Sequence, residues 1–233
     1  MNMLERRHFL RIGLASSAAI ALAGCETGAK TADLPGTSWP SDHRATPPVT
    51  RTPAPSPAGT GLPQNVIART SWTRSKPIVA LADPMGKISR ITIHHEGSTT
   101  FASTSKTDVM RRLESIRAGH VSKGWADIGY HYVIDPAGRV WQGRPTNLQG
   151  AHVKDENPGN LGVMVMGNFE TQRPTAAQVA TLDQFVASQM RRYGVSVRGV
   201  YTHRELRPTA CPGRSLQAYM MQTRASTGRM ARA

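Results

Sequence analysis

Cysteine is nearly missing from this chain: among 233 residues only Cys25 and Cys211 are cysteines. They fall in different parts of the sequence, so a disulfide within the region around Cys211 is excluded. Acidic side chains are scarce too, 15 Asp and Glu against 29 Lys and Arg, for a formal charge of +14. That surplus favours an acidic partner such as nucleic acid, an anionic membrane or an anionic wall polymer. It is spread along the chain, and no nucleic-acid-binding motif accompanies it, which argues against a specific nucleic-acid role. The uncharged run Ile12 to Ala23 is too short to cross a bilayer. What is present, 39% hydrophobic and 19% charged residues, is close to globular averages and supports one packed domain with tails.

Arg6, Arg7 and Arg11 stand just before that uncharged run, the arrangement of an export signal. Arg6-Arg7-His8-Phe9-Leu10 has the paired arginines and following Phe-Leu of twin-arginine signals, which direct folded proteins across a membrane. Leu22-Ala23-Gly24-Cys25 resembles a lipoprotein box, with Cys25 as the acylated first residue of the mature chain. The competing reading, simple cleavage after Ala21-Leu22-Ala23, leaves an exposed thiol in an oxidising compartment. Residues 1–25 are therefore expected to be an export signal ending in a lipobox. The protein is expected in the cell envelope, lipid-anchored on the outer side of a bacterial membrane. Residues 26–63 are rich in Pro, Thr, Ser, Ala and Gly and read as a disordered tether. The working domain is 64–233, expected as a monomer.

Strand and helix signals alternate through that domain. Arg90 to His95 reads as a strand, with Thr92 and His94 interleaved between apolar residues. Lys106 to Ala118 reads as a helix with Val109, Leu113 and Ile116 on one face and Gly119 as its stop. Tyr130 to Ile134 and Arg139 to Gln142 flank Asp135-Pro136-Ala137-Gly138 and predict a hairpin. Leu161 to Met166 has the character of a buried strand. Thr175-Ala176-Ala177-Gln178 is a capping box opening a long helix that Gly194 closes, and Val197 to Thr202 predicts a last strand before His203. The order implies an α/β fold, a single domain with a central mixed β-sheet flanked by helices.

The domain holds Cys211 and six histidines, His94, His95, His120, His131, His152 and His203. Cys211 sits in a loop before Pro212-Gly213, and His203 lies eight positions upstream at a strand end, so metal coordination explains this lone cysteine better than packing does. A catalytic Zn²⁺ keeps three protein ligands and one water, and two histidines with one cysteine meet that count. The strand end at His94-His95 is the candidate for the third ligand. Successive strand residues face opposite ways, so only one of the two should reach a metal, and periodicity does not say which.

Several motifs carry a resemblance to a known family: Ile91-Thr92-Ile93-His94-His95, Gly129-Tyr130-His131-Tyr132, Gly150-Ala151-His152, Leu161-Gly162-Val163, Met166-Gly167-Asn168-Phe169, and Thr202-His203-Arg204 followed by Cys211-Pro212-Gly213. In this order they resemble the peptidoglycan recognition proteins and related phage amidases, from about Val66 to Leu216. The resemblance implies zinc held by His94, His203 and Cys211. It implies a catalytic tyrosine at Tyr130, a role for His152 near the substrate carbonyl, and a third catalytic position at Thr209, where phage amidases have lysine. Trp125, Arg144 and Asn160 are expected to contact substrate in a groove. Glu96 departs from the family, in which a small or hydroxylated residue follows the His pair. It reads either as a solvent-facing residue or as a carboxylate partner of a ligand histidine. His95, His120 and His131 read as structural.

The activity so implied is zinc-dependent hydrolysis of the amide between N-acetylmuramic acid and L-alanine in peptidoglycan or muropeptides. The alternatives are a binding module that recognises peptidoglycan without cutting it, whose family members typically lack the cysteine, and a zinc peptidase acting within stem peptides.

Overall fold

The computed structural model describes Pro63 and residues 65–232. The export signal, Cys25 and nearly all of the expected tether lie outside the described residues. Six short strands form one sheet: β1 (Val66–Ile67), β2 (Arg90–His95), β3 (Tyr132–Ile134), β4 (Val140–Gln142), β5 (Asn160–Val165) and β6 (Val200–Thr202). Their order is β1-β4-β3-β5-β2-β6, with β3, β5, β2 and β6 mutually parallel and β4 antiparallel to β3 across the expected hairpin.

The two-residue period of the strands divides the sheet into two faces. Ile91, Ile93, Tyr132, Ile134, Leu161, Val163 and Val165 point to one side. There they meet Leu182, Phe185 and Val186 of α2 (Ala176–Tyr193) and Leu216 and Met220 of α4 (Arg214–Arg224). Val133, Trp141 and Met164 point to the other side, against Val109 and Leu113 of α1 (Lys106–Val121). This is the mixed sheet with helical cover that the order of signals implies. The capping box at Thr175 and the left-handed Gly194 bound α2 as expected.

Three local expectations change. Helix α1 runs through Gly119 to Val121, and the left-handed glycine that turns the chain is Gly124, with Trp125 N–H donating to the His120 carbonyl. Val197–Gly199 is a 3-10 turn, so β6 is only its last three residues. Helix α4 has no counterpart among the sequence signals, because it opens after Gly213 at φ 86° with no side-chain cap to announce it. No helix among the described residues is long and apolar enough to cross a membrane.

Candidate metal centre and active site

Parallel pairing brings the two distant histidines together. Ile93 is in register with Thr202, so the next residues, His94 and His203, leave the same edge of the sheet side by side. His203 opens the short helix α3 (His203–Leu206). The loop that follows is stitched back on itself: Arg204 N–H donates to the Cys211 carbonyl at 3.0 Å, and Cys211 N–H donates to Thr209 Oγ1 at 3.2 Å. One ligand atom each from His94, His203 and Cys211 then lies within 4.8 Å of the others. Alternation decides between the paired histidines. His94 shares the α1 face with Thr92, whereas His95 points to the α2 face, where its Nδ1 accepts the Phe169 N–H at 3.1 Å.

A chain of hydrogen bonds sets the tautomer of His94. His152 Nε2 lies 3.0 Å from the Asn160 carbonyl oxygen, which only accepts, so Nε2 carries the proton. His152 Nδ1 is then an acceptor, and it lies 3.1 Å from His94 Nε2, which must donate. His94 Nδ1 is left with its lone pair, and it stands 3.6 Å from Cys211 Sγ. Tetrahedral coordination with ordinary Zn–N and Zn–S lengths sets two such ligand atoms about 3.6 Å apart, so the donor set fits that ion.

Electrostatics agree with this. Burial first, and then His203, His152 and His95, hold His94 well below its ordinary value, while burial lowers His203 to about 4. At neutral pH both rings therefore offer lone pairs rather than charge. Burial pushes the Cys211 thiol up to about 12, opposed by a backbone hydrogen bond at His95 and by the charge of Arg204, and a bound cation would reverse that balance by favouring the thiolate.

Tyr130 lies beside the triad, its ring centroid 5.2 Å from that of His94. Burial, then Cys211 and Glu96, raise its phenol above the usual range, so it stays a proton donor at neutral pH. Glu96 takes neither of its expected roles. Its side chain is only 6% exposed and pairs with Arg112 of α1 while accepting from Ser98 Oγ at 2.8 Å. His120 packs near the same region, its ring centroid 4.5 Å from that of Trp125 in a tilted pair and 5.8 Å from that of Tyr130.

Five of the expected site residues have definite places in the fold. Trp125, Arg144 and Asn160, expected along a groove, are 3%, 1% and 0% exposed. Arg144 spends its guanidinium on the carbonyls of Ile128, Gln149 and Asp127, and Asn160 joins Thr92 Oγ1 to the Glu156 carbonyl. Both hold loops in place from inside the domain. His152, expected against the substrate carbonyl, sits behind His94 and orients it. Its ring is packed so closely that a Cβ at Gly162 would come within 2.5 Å of it, which accounts for the glycine between Leu161 and Val163. Thr209 is half-buried and ties down the Cys211 backbone.

Over residues 84–214 the chain matches the N-acetylmuramoyl-L-alanine amidase family. It is 36% identical over 154 residues to peptidoglycan-recognition protein SC2 of Drosophila simulans, spanning 65% of this chain and 82% of that protein. Its fold is similar to that of Drosophila PGRP-LB, with a TM-score of 0.60 at 25% identity over 66% of this chain and 91% of the other. It is also similar to a peptidoglycan recognition protein in the ectodomain complex of LCa and LCx bound to tracheal cytotoxin, with a TM-score of 0.60 at 26% identity, covering 67% and 95%. The match spans more than half of the sequence and includes all three converging side chains, His94, His203 and Cys211: the chain belongs to the N-acetylmuramoyl-L-alanine amidase family, to which the peptidoglycan-recognition proteins it resembles are related.

Proposed function

We propose that the protein is a zinc-dependent N-acetylmuramoyl-L-alanine amidase, hydrolysing the amide between the lactyl group of N-acetylmuramic acid and the first L-alanine of peptidoglycan. The observation that carries this reading is the complete His94–His203–Cys211 triad with a neutral tyrosine beside it. A bare recognition module has no use for a half-buried thiol beside two neutral imidazoles. The relative bound to tracheal cytotoxin supports a muropeptide as the ligand class.

Bound zinc supplies Lewis-acid polarisation of the carbonyl and a nucleophilic water at neutral pH. The protein's own groups do the rest. The Asn160–His152–His94 chain leaves the His94 Nδ1 lone pair available to a metal that His94, His203 and Cys211 would hold. Tyr130 donates a hydrogen bond to the charge that develops on the scissile carbonyl oxygen, a contribution of about 3 kcal/mol for one such donor. His152 acts through His94 as a positioning residue. Export through the twin-arginine-like signal and acylation of Cys25 would place this chemistry on the outer side of a bacterial membrane.

The test is incubation of the zinc-loaded protein with purified peptidoglycan and mass spectrometry of the soluble fragments. Stem peptides beginning at an intact L-alanine are expected. Shortened peptides would mean a peptidase, and binding with no released product would mean a recognition module; either overturns the proposal.

A further inference from the structure

The fold sets several of the chain's many basic side chains together at one end of the domain. His94 and His203 leave the C-terminal edge of the parallel strands, so Val200, where β6 begins, marks the opposite edge. Helix α2 ends at Tyr193, shortly before the 3-10 turn that enters β6, which sets Arg191, Arg192 and Arg198 at that far edge. Helix α4 starts just after Cys211 and runs away from the metal centre, and its last residue, Arg224, donates to the Val200 carbonyl at 2.6 Å. The tail then buries Met230 in the core and leaves Arg229 and Arg232 exposed. Arg229 shares a shallow concavity with Arg191.

Acidic residues are few in this part of the sequence. From Gln172 to the C-terminus the only acids are Asp183 and Glu205. Asp183 accepts the hydroxyls of Tyr219 and Thr223, each at 2.7 Å, and Glu205 is paired with Arg224. In the loop before β5, Asp155 and Glu156 are paired with Arg207 and Arg90. Met221, 62% exposed on the last turns of α4, adds an apolar side chain to the same end.

We propose that this basic end docks on an anionic phospholipid surface and turns the metal centre away from the membrane, toward the wall. Dispersed arginines around an exposed methionine suit a headgroup layer better than a single polymer strand, which would need a groove. The anchor proposed at Cys25 brings such a surface near. Val66 leaves the sheet on the metal edge, in line with Val140, Ile134, Val165 and His95. The roughly 40 residues before it can extend more than about 100 Å, enough to pass round the domain.

The test uses the chain from residue 25 onward with Cys25→Ser, so that no acyl group contributes, sedimented with vesicles of phosphatidylcholine with or without phosphatidylglycerol. Binding is expected only with the anionic lipid and should weaken as salt rises. Joint Arg198→Glu, Arg229→Glu and Arg232→Glu replacement should weaken it about 100-fold or more, at about fivefold per cation lost, with zinc content unchanged. If that variant loses thermal stability, the corresponding glutamine triple replaces it. Reversal of Lys106, Arg111 and Lys123 around α1 should leave binding intact. Equal binding to neutral vesicles, equal loss from the α1 reversals, or binding to an anionic wall polymer with none to anionic vesicles would overturn the proposal.

Discussion

His94 and His95 are neighbours on one strand, both buried, and they serve opposite ends. His94 enters the α1 face, where its ring meets Tyr130, His152 and His203. His95 enters the α2 face, where it receives one backbone N–H beside Phe169. The difference extends across the sheet. The α2 face of the sheet is apolar apart from His95 and Thr202, whereas on the α1 face Thr92, His94 and Asn160 replace apolar strand side chains, with His131 and His152 beside them. Each buried polar group there is matched by another: Thr92 donates to Asn160, His131 Nδ1 accepts the Gly162 N–H, and His152 bridges His94 to Asn160. One face stabilises the domain by exclusion of water, and the other holds a network whose members are costly to leave unpaired.

The comparison breaks most completely at Cys211. Cys211→Ser replaces a soft thiolate with a hydroxyl that keeps its proton near neutral pH, so zinc content should fall from about one per chain toward zero, and hydrolysis with it. The core of the α2 face is untouched, and binding to insoluble peptidoglycan should persist. Normal stem-peptide release by the folded mutant would sink the mechanism.

A smaller effect separates positioning from ligation. His152→Ala removes the acceptor for His94 Nε2–H and should weaken zinc binding by about 10- to 100-fold. His152→Asn sets a side-chain carbonyl near the place of Nδ1 and should recover part of that loss. His95→Phe, on the other face, should leave zinc affinity unchanged and cost about 1–3 kcal/mol of stability through the orphaned Phe169 N–H. Zinc titration with parallel denaturant melts distinguishes the three. Loss of zinc in His95→Phe with full retention in His152→Ala would reverse the assignment of the two faces.

What the sequence made legible follows the range of each signal. Strand β2, the hairpin turn and the Thr175 capping box are local patterns and are found where expected. The choice between His94 and His95 depends on which face meets α1, which only pairing with β5 and β6 decides, so residue patterns left it open and the family resemblance supplied it. The burial of Arg144 and Asn160 was not legible because their partners are mainly backbone groups, which carry no residue-type signature. A polar residue satisfied inside a loop looks in sequence like one displayed on a groove. His152 differs: its motif is legible, and the two bonds of its ring, to His94 and to the Asn160 carbonyl, are not.

The smallest effect concerns pH in the metal-free protein, where both faces contribute in the same direction. Burial lowers His95, on the α2 face, and His131, on the α1 face, to about 4 from the ordinary 6.5. Below pH 6.5 the unfolded chain binds protons that the folded chain refuses, so this part of the stability is intact above 6.5 and is lost as pH falls toward 4. Between pH 6.5 and 5 each such histidine should remove about 2 kcal/mol. That window lies above the range in which ordinary carboxylates titrate, so the slope reports imidazoles. Denaturant midpoints in the presence of a chelator should therefore fall from pH 7 to pH 5, and the fall should shrink in His95→Phe by that one residue's share. A midpoint that stays level across the window, or the same slope in His95→Phe, would show that His95 is not held neutral by its burial against α2.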